Sequence, residues 1–211
     1  MNSGRSRLLA LRAETAEAGE RMEAMRSRFE RLKTRHEDGT APQAVSSFNL
    51  FQTPAHLAAR LVAAAGIKPG ARVLEPSAGL GRLLDALEDY KPGEVVAVES
   101  SPDCAGVLYR AERQGVTIKQ RDFLETSPEE LGTFDSVVMN PPFHMRADIR
   151  HIEHALTFLK PGGTLAALCM DGHLREEKLR HRSATWERIE SGTFAAEGTK
   201  VATILLTIVK Q

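Results

Sequence analysis

An excess of charge of either sign is missing from this chain: Lys and Arg together number 28, as do Asp and Glu. A net charge of zero excludes a strongly basic footprint over the whole chain, the usual sign of tight non-specific nucleic-acid binding. Local basic clusters stay open. Cysteine is scarce, and Cys104 and Cys169 have neither a metal-ligand spacing nor that of a disulfide framework. Cys169 lies in the apolar run "GTLAALCM" and reads as a small core residue. No stretch reaches transmembrane length, so no membrane partner is expected. The opening "MNSGRSRLLALRAETAEAGE" lacks the uninterrupted apolar core of a secretory signal, and a cytoplasmic protein is the expectation. The fingerprints G-x-G-x-x-G and G-x-x-x-x-G-K-[ST] are absent too, which disfavours a dinucleotide or a phosphate-loop ligand.

What is present falls into two parts, 1–40 and 41–211. From Arg5 to His36 there is no Pro and a single Gly, and Leu8, Leu11, Met22, Met25, Phe29 and Leu32 recur at three- and four-residue spacings. This predicts a long amphipathic helix. Interruption by Ala13, Ala16 and Ala18 weakens the seam for an autonomous coiled coil. The helix either packs on its own domain, pairs two copies as a homodimer, or carries Arg21, Arg26, Arg28, Arg31, Lys33 and Arg35 as an arm for nucleic acid.

Beyond "EDGTAPQ" the pattern alternates. "PAHLAARLVAAAG" is a helix, "ARVLEP" a strand, "GLGRLLDALEDY" a helix, "EVVAVES" a strand and "PDCAGVLYRAERQG" a helix. "VTIKQ" and "FDSVVMN" are strands, "ADIRHIEHALTFLK" a helix closed by "PGG", and "TLAALCM" a strand. "TFAAEGTKVATILLTIVK" reads as two strands around a turn, without a crossover helix. The expected fold is α/β: a doubly wound, Rossmann-like, seven-stranded sheet that ends in an antiparallel strand.

Ligands of such sheets bind beyond the carboxyl ends of the strands. The first strand ends at Glu75, followed by Ser77, Ala78, Gly79 and Gly81 in a turn that lets a ligand approach the backbone. An acid ahead of a Gly-rich turn suits a cationic amine. Glu99 and Ser100 end the second strand, where an acid accepts from ribose hydroxyls. Asp122 and Phe123 end the third, a carboxylate or amide for an adenine amine beside an apolar cover. Each position alone is equally a solvated strand end. Together they describe an adenosine with an amino-acid tail, which is S-adenosylmethionine.

In order and spacing, "VLEPSAGLGRLL", "VVAVESS", "RDF" and "SVVMNPPF" resemble the motifs of class I S-adenosylmethionine-dependent methyltransferases, and among them the NPPF-type amino-methyltransferases. "FQTPAHLAARLV" is similar to the segment preceding the fold in adenine-specific DNA methyltransferases, including compact phage and prophage proteins. The resemblance runs from about Phe48 to Gln211 and leaves the N-terminal helix outside. It implies that Gln52, Thr53 and Pro54 lie at the methionine end of the cofactor and that Asn140 borders it too. It also implies a clamp, in which Asn140 and the Pro141 carbonyl accept from an exocyclic amine, Pro142 stiffens the loop, and Phe143 stacks on the base. The implied substrate is adenine N6 in DNA, extruded from its stack.

Two signals conflict on the polymer, since "NPPFH" with His144 resembles ribosomal-RNA guanine methyltransferases. RNA bases are therefore the alternative, a protein glutamine comes third, and a cofactor-binding interaction module is the non-enzymatic reading. Glu75 stands where Asp is common in the family, and its longer arm can carry the same role. A chain of 211 residues leaves no separate target-recognition domain, so loops, a partner or low specificity must serve. Two basic clusters are candidates for a phosphate backbone: Arg146, Arg150 and His151, and then Arg175, Lys178, Arg180, His181 and Arg182 near Trp186. A solvated helix explains the second cluster equally well, and Trp186 reads as a packing residue.

Overall fold

The computed structural model describes Gln52–Glu190, Thr193 and 201–211. The predicted helix from Arg5 to His36 lies outside these residues, as does most of the turn expected near "AAEG". The described chain forms strands β1 (Arg72–Glu75), β2 (Glu94–Glu99), β3 (Val116–Gln120), β4 (Phe134–Met139), β5 (Leu159–Met170), β6 (Thr185–Ile189) and β7 (Thr203–Val209). They make one seven-stranded sheet in the order β3-β2-β1-β4-β5-β7-β6. The first five strands are parallel, while β7 runs antiparallel to both β5 and β6.

Alternation along the strands divides the core in two. Val73, Val95, Ala97, Val138, Ala166 and Leu168 face one side, where they meet Leu57 and Leu61 of α1 (Ala55–Ala64), Leu83, Leu84 and Leu87 of α2 (Arg82–Leu87), and Leu108 of α3 (Pro102–Arg110). Leu74, Val96, Val137, Met139, Leu165 and Cys169 face the other. There they meet Leu131 of α4 (Pro128–Leu131), Ile149 and Ile152 of α5 (Ala147–Ala155), and Leu179 of α6 (His173–Leu179). With helices on both faces, the central strands have no solvated side, and this is why they read as near-continuous apolar runs. Cys169 is a core residue, and burial pushes its thiol up to about 12. Edge strand β3 differs: its residues are largely exposed, and Lys119 and Gln120 blunt its open ladder.

Three details depart from the sequence expectation. The helix ahead of β5 ends at Ala155, and after a single 3-10 turn the strand begins at Leu159, so "PGG" lies inside the strand. Partners shift there from Phe134↔Leu159 to Ser136↔Thr164. Gly162 takes φ +78°, and a Cβ on Gly163 would come within 3.0 Å of the Asp135 carbonyl. Lys160 anchors this bulge by donating to Asp135 at 2.7 Å. Secondly, "TWERI", within the basic run that also suits a helix, forms strand β6 beside β7, while the strand expected at "TFAA" lies, apart from Thr193, outside the described residues. After α6 and a 3-10 turn over Arg180–Arg182, Ser183 takes an extended conformation and Trp186 pairs with Leu206. Thirdly, the four-residue helix α4 stands between β3 and β4, opened by Pro128.

No helix among the described residues is long and apolar enough to cross a membrane. The fully buried Asp148 fixes α5 to its surroundings: it accepts from Arg175 Nε and Nη2, both at 3.0 Å, and from the Met170 amide at 3.1 Å. One carboxylate thus joins α5, the end of β5 and α6. Asp148→Ala leaves the Arg175 charge buried without a partner. It is expected to cost about 3–5 kcal/mol in urea unfolding, most of it recovered in Asp148→Asn/Arg175→Met, where neither charge remains.

Candidate active site

The strand order reverses between β1 and β4: the chain winds outward through β2 and β3, then returns to the other side of β1. Loops after β1 and β4 therefore diverge and leave a crevice at the carboxyl edge of the sheet. A cleft of about 200 Å³ opens there.

The loop after β1 is held from the side. Glu99, at the end of β2, accepts from the Gly79 amide through Oε2 and from the Ser101 amide through Oε1, both at 2.7 Å. The Ala78 amide donates to the Val98 carbonyl at 3.1 Å. Ser101 then caps α3 by accepting from the Cys104 amide. Gly81 opens α2 at φ +88°, where a Cβ would meet Leu108 at 3.0 Å and the Arg113 guanidinium at 3.1 Å. Pinned this way, the loop frames Glu75, which is 1% exposed and whose Oε2 has no partner among the described residues. Burial pushes its pKa well above the ordinary 4.5, against the smaller opposing pull of Arg113. Ser77 Oγ is likewise buried and unpartnered.

The opposite wall joins two distant segments. Asn140 donates through Nδ2 to Oγ1 of the buried Thr53 at 3.0 Å. Gln52 Oε1 accepts from Arg82 Nε at 3.0 Å, and Pro54 precedes α1. "FQTP" and "NPPF", 87 residues apart at their hydrogen bond, thereby share one wall. Phe143 packs on the core cluster that includes α1 and lines the cleft.

At the third strand end, Asp122 Oδ1 accepts from the Leu124 amide at 2.9 Å. The Phe123 ring lines the cleft but is itself almost wholly buried, with ring centroids 5.8 Å from His151, 4.8 Å from His154 and 5.3 Å from Phe158. Burial lowers the His151 pKa to about 4, against the opposing influence of Asp122. His151 is neutral at physiological pH, and its Nδ1 has no partner among the described residues.

Of the residues singled out from sequence, Gln52, Thr53, Glu75, Ser77, Ala78, Gly79, Glu99, Ser100, Asp122, Phe123 and Asn140–Phe143 all line this cleft. Pro54 and Gly81 stand behind it, as the entries to α1 and α2. Two phosphate-contact candidates are corrected. His151 is a neutral wall residue of the cleft, and Arg175 is committed to Asp148. Trp186 is half-buried against the core, with the Arg180 guanidinium 5.8 Å from its ring. His151 could have been placed from the sequence: with Asp148, Ile152 and Ala155 it falls on the inward face of α5 at helical spacing.

The polar set fits S-adenosylmethionine. Glu75 offers a buried, unsatisfied carboxylate to the cationic amine, and Ser77 an unsatisfied hydroxyl beside it. Glu99 retains lone pairs for ribose hydroxyls after binding the loop amides. The Asp122 carboxylate and the Phe123 ring line the same cleft and are of the types that suit an adenine amine and an adenine face.

A family model described as methyltransferase domain matches residues 49–194. Among solved structures, the chain is similar to TrmN from Thermus thermophilus at 23% identity and a TM-score of 0.59, with 74% of this chain covering 49% of that one. It thus spans about half of TrmN. The 23S rRNA methyltransferase ErmE matches at 20% identity and TM-score 0.58, over 76% of this chain and 70% of that one. The [4+2]-cyclase SpnF matches at 16% and 0.57, over 74% and 80%. At these identities the likeness is one of fold, and the cyclase shows that the same fold also carries other chemistry.

Because the folded chain raises the Glu75 pKa, ionising this group opposes folding. The penalty is absent below the ordinary 4.5 and grows as pH rises towards the folded value. Glu75→Gln removes it. The variant, free of ligand, should melt above the wild type at pH 8 and level with it at pH 4 by differential scanning calorimetry. Its affinity for S-adenosylhomocysteine should fall roughly ten- to hundredfold, the worth of one charged hydrogen bond.

Proposed function

We propose, from the premise that this chain belongs to the methyltransferase-domain family and takes S-adenosylmethionine as its methyl donor, that it methylates an exocyclic amine of a nucleic-acid base, foremost N6 of adenine in DNA. The observation that carries this reading is the Asn140–Thr53 hydrogen bond, which puts "FQTP" and "NPPF" on one wall of a cleft whose other wall holds Glu75.

Bound S-adenosylmethionine supplies an electrophilic methyl group, so the protein's part is to place a nucleophile in line with it. An aromatic amine is a poor nucleophile because its lone pair is delocalised into the ring. The side-chain oxygen of Asn140 and the carbonyl of Pro141 accept from that amine, favour its pyramidal form and stabilise the positive charge that develops on nitrogen. With its Nδ2 donating to Thr53, the Asn140 amide is oriented before substrate arrives. Pro141 and Pro142 restrict the loop, and Phe143 covers the base with stacking worth about 1–3 kcal/mol, which replaces what extrusion loses. No strong general base is required.

A second reading is an RNA base as target. His144 directly after the clamp and the likeness to the 23S rRNA methyltransferase ErmE favour it. In either case residues 41–211 carry the chemistry, and the N-terminal extension, residues 1–40, serves to pair two copies.

Transfer of tritiated methyl from S-adenosylmethionine onto separated DNA, RNA and protein fractions tests the assignment. DNA is expected to accept label, and Asn140→Ala is expected to lose roughly a hundredfold in kcat while still binding S-adenosylhomocysteine. Label on RNA alone moves the target to the second reading. Cofactor binding without label in any fraction overturns both. Deletion of the first 39 residues should halve the mass in solution if the extension pairs two copies.

A further inference from the structure

Beside the clamp, a second concavity of about 420 Å³ lies between α5 and α6. Arg146, Ile149, Arg150 and Glu153 follow helical spacing along one side of it, with Leu174 and Lys178, four apart, on the other. Ile149 and Leu174 are buried or half-buried and give it an apolar floor. Arg146, Arg150 and Lys178 are exposed on its rim, where Glu153 is the one acid. None of these three cations forms an ion pair among the described residues, unlike Arg175 and Arg180 close by.

Met145 stands at the end of this groove nearest the clamp, two residues after Phe143. It is 86% exposed, the most exposed large apolar side chain among the described residues. Its φ is +47°, and that of Arg146 is +63°. Two successive non-glycine residues in the left-handed region are a strained arrangement. The backbone therefore holds an apolar side chain in water at an energetic cost, next to the place where a base would be clamped.

We propose that this groove binds a single-stranded sugar–phosphate segment flanking the clamped base, with Arg146, Arg150 and Lys178 on successive phosphates and Met145 against the neighbouring unstacked base. Two stretches of chain that are separate in sequence, after β4 and after β5, supply one cationic rim. Unpaired cations with a single acid among them complement a polyanion, and the apolar floor with Met145 complements a base face. The proposal rests on the nucleic-acid reading above and adds where the strand runs.

Fluorescence anisotropy with labelled single-stranded oligonucleotides, DNA and RNA in separate arms, measures affinity across a salt series. Arg146→Ala/Arg150→Ala/Lys178→Ala is expected to reduce the slope of log K against log salt by about 2, since each phosphate contact on a single strand contributes roughly 0.7. The control Lys68→Ala/Lys91→Ala/Arg110→Ala changes net charge equally, but its exposed cations lie towards the amino ends of the strands, away from the cleft. It should leave the slope unchanged. Met145→Ala should weaken binding about fivefold at every salt concentration with the slope intact, as loss of an uncharged base contact requires. S-adenosylhomocysteine binding reports that each variant is folded. Equal slopes for the two triple variants overturn the groove while leaving the nucleic-acid reading in place, and so does polyglutamate competing as well as the oligonucleotide. A folded wild type that binds S-adenosylhomocysteine but neither oligonucleotide overturns the nucleic-acid reading and the groove with it. The arm in which the slope change is larger names the polymer.

Discussion

Five parallel strands compel every crossover to return to the same end of the sheet, and reversal of their order beside β1 forces the loops there apart. The remainder of the site depends on that constraint. Glu99 converts it into a defined cleft, because one carboxylate at the end of β2 takes the amides of Gly79 and Ser101 together. The Gly-containing loop is thereby fixed to its neighbouring strand, and α3 starts from the same anchor. On the far side, Thr53 and Asn140 perform the corresponding service for the clamp. Neither link is large in energy. Their importance is that each joins segments far apart in the chain and so sets distances across the cleft.

The cleft is also where the fold leaves its polar groups unsatisfied. Glu75, Ser77 and His151 line it and are three of the five buried side chains with an unpartnered polar atom among the described residues. An unmade buried hydrogen bond costs about 1–3 kcal/mol, so polar groups gathered in one cavity are met there by water or by a ligand. Glu75 carries the greatest part, since burial outweighs the pull of Arg113 on its charge. Asp148, equally buried, is by contrast met by three donors. Asp148 and Glu75 thus show the two uses of a buried carboxylate in this fold, one closed for support and the other held open.

Much of this was legible in the residue pattern. Strand ends such as "LEPSAG", "VES", "RDF" and "MNPPF" mark themselves, because a buried apolar run that stops at an acid, a glycine or a proline has reached the sheet edge. The errors fell where local preference and tertiary demand disagreed. "TFLKPGG" has the apolar positions of a helix end. Burial of Phe158 and Leu159, together with the Lys160–Asp135 ion pair, instead draws it into the sheet as a bulged strand. "TWERI" continues a charged helical run in sequence, yet β7 offers it an unpaired ladder and the chain extends.

The sequence by itself determined the fold class, the four loops that meet at the site and the chemical types they bring, because these follow from periodicity and from which residues can end a buried strand. Tertiary structure alone decided which charges are available to a ligand. Arg150 and His151 in one basic cluster and Arg175 in the other read alike as phosphate contacts, yet burial neutralises His151 and Asp148 takes Arg175, leaving Arg150 on the groove. Charge state depends on burial and on partners distant in the chain, and neither quantity is carried by the residue itself.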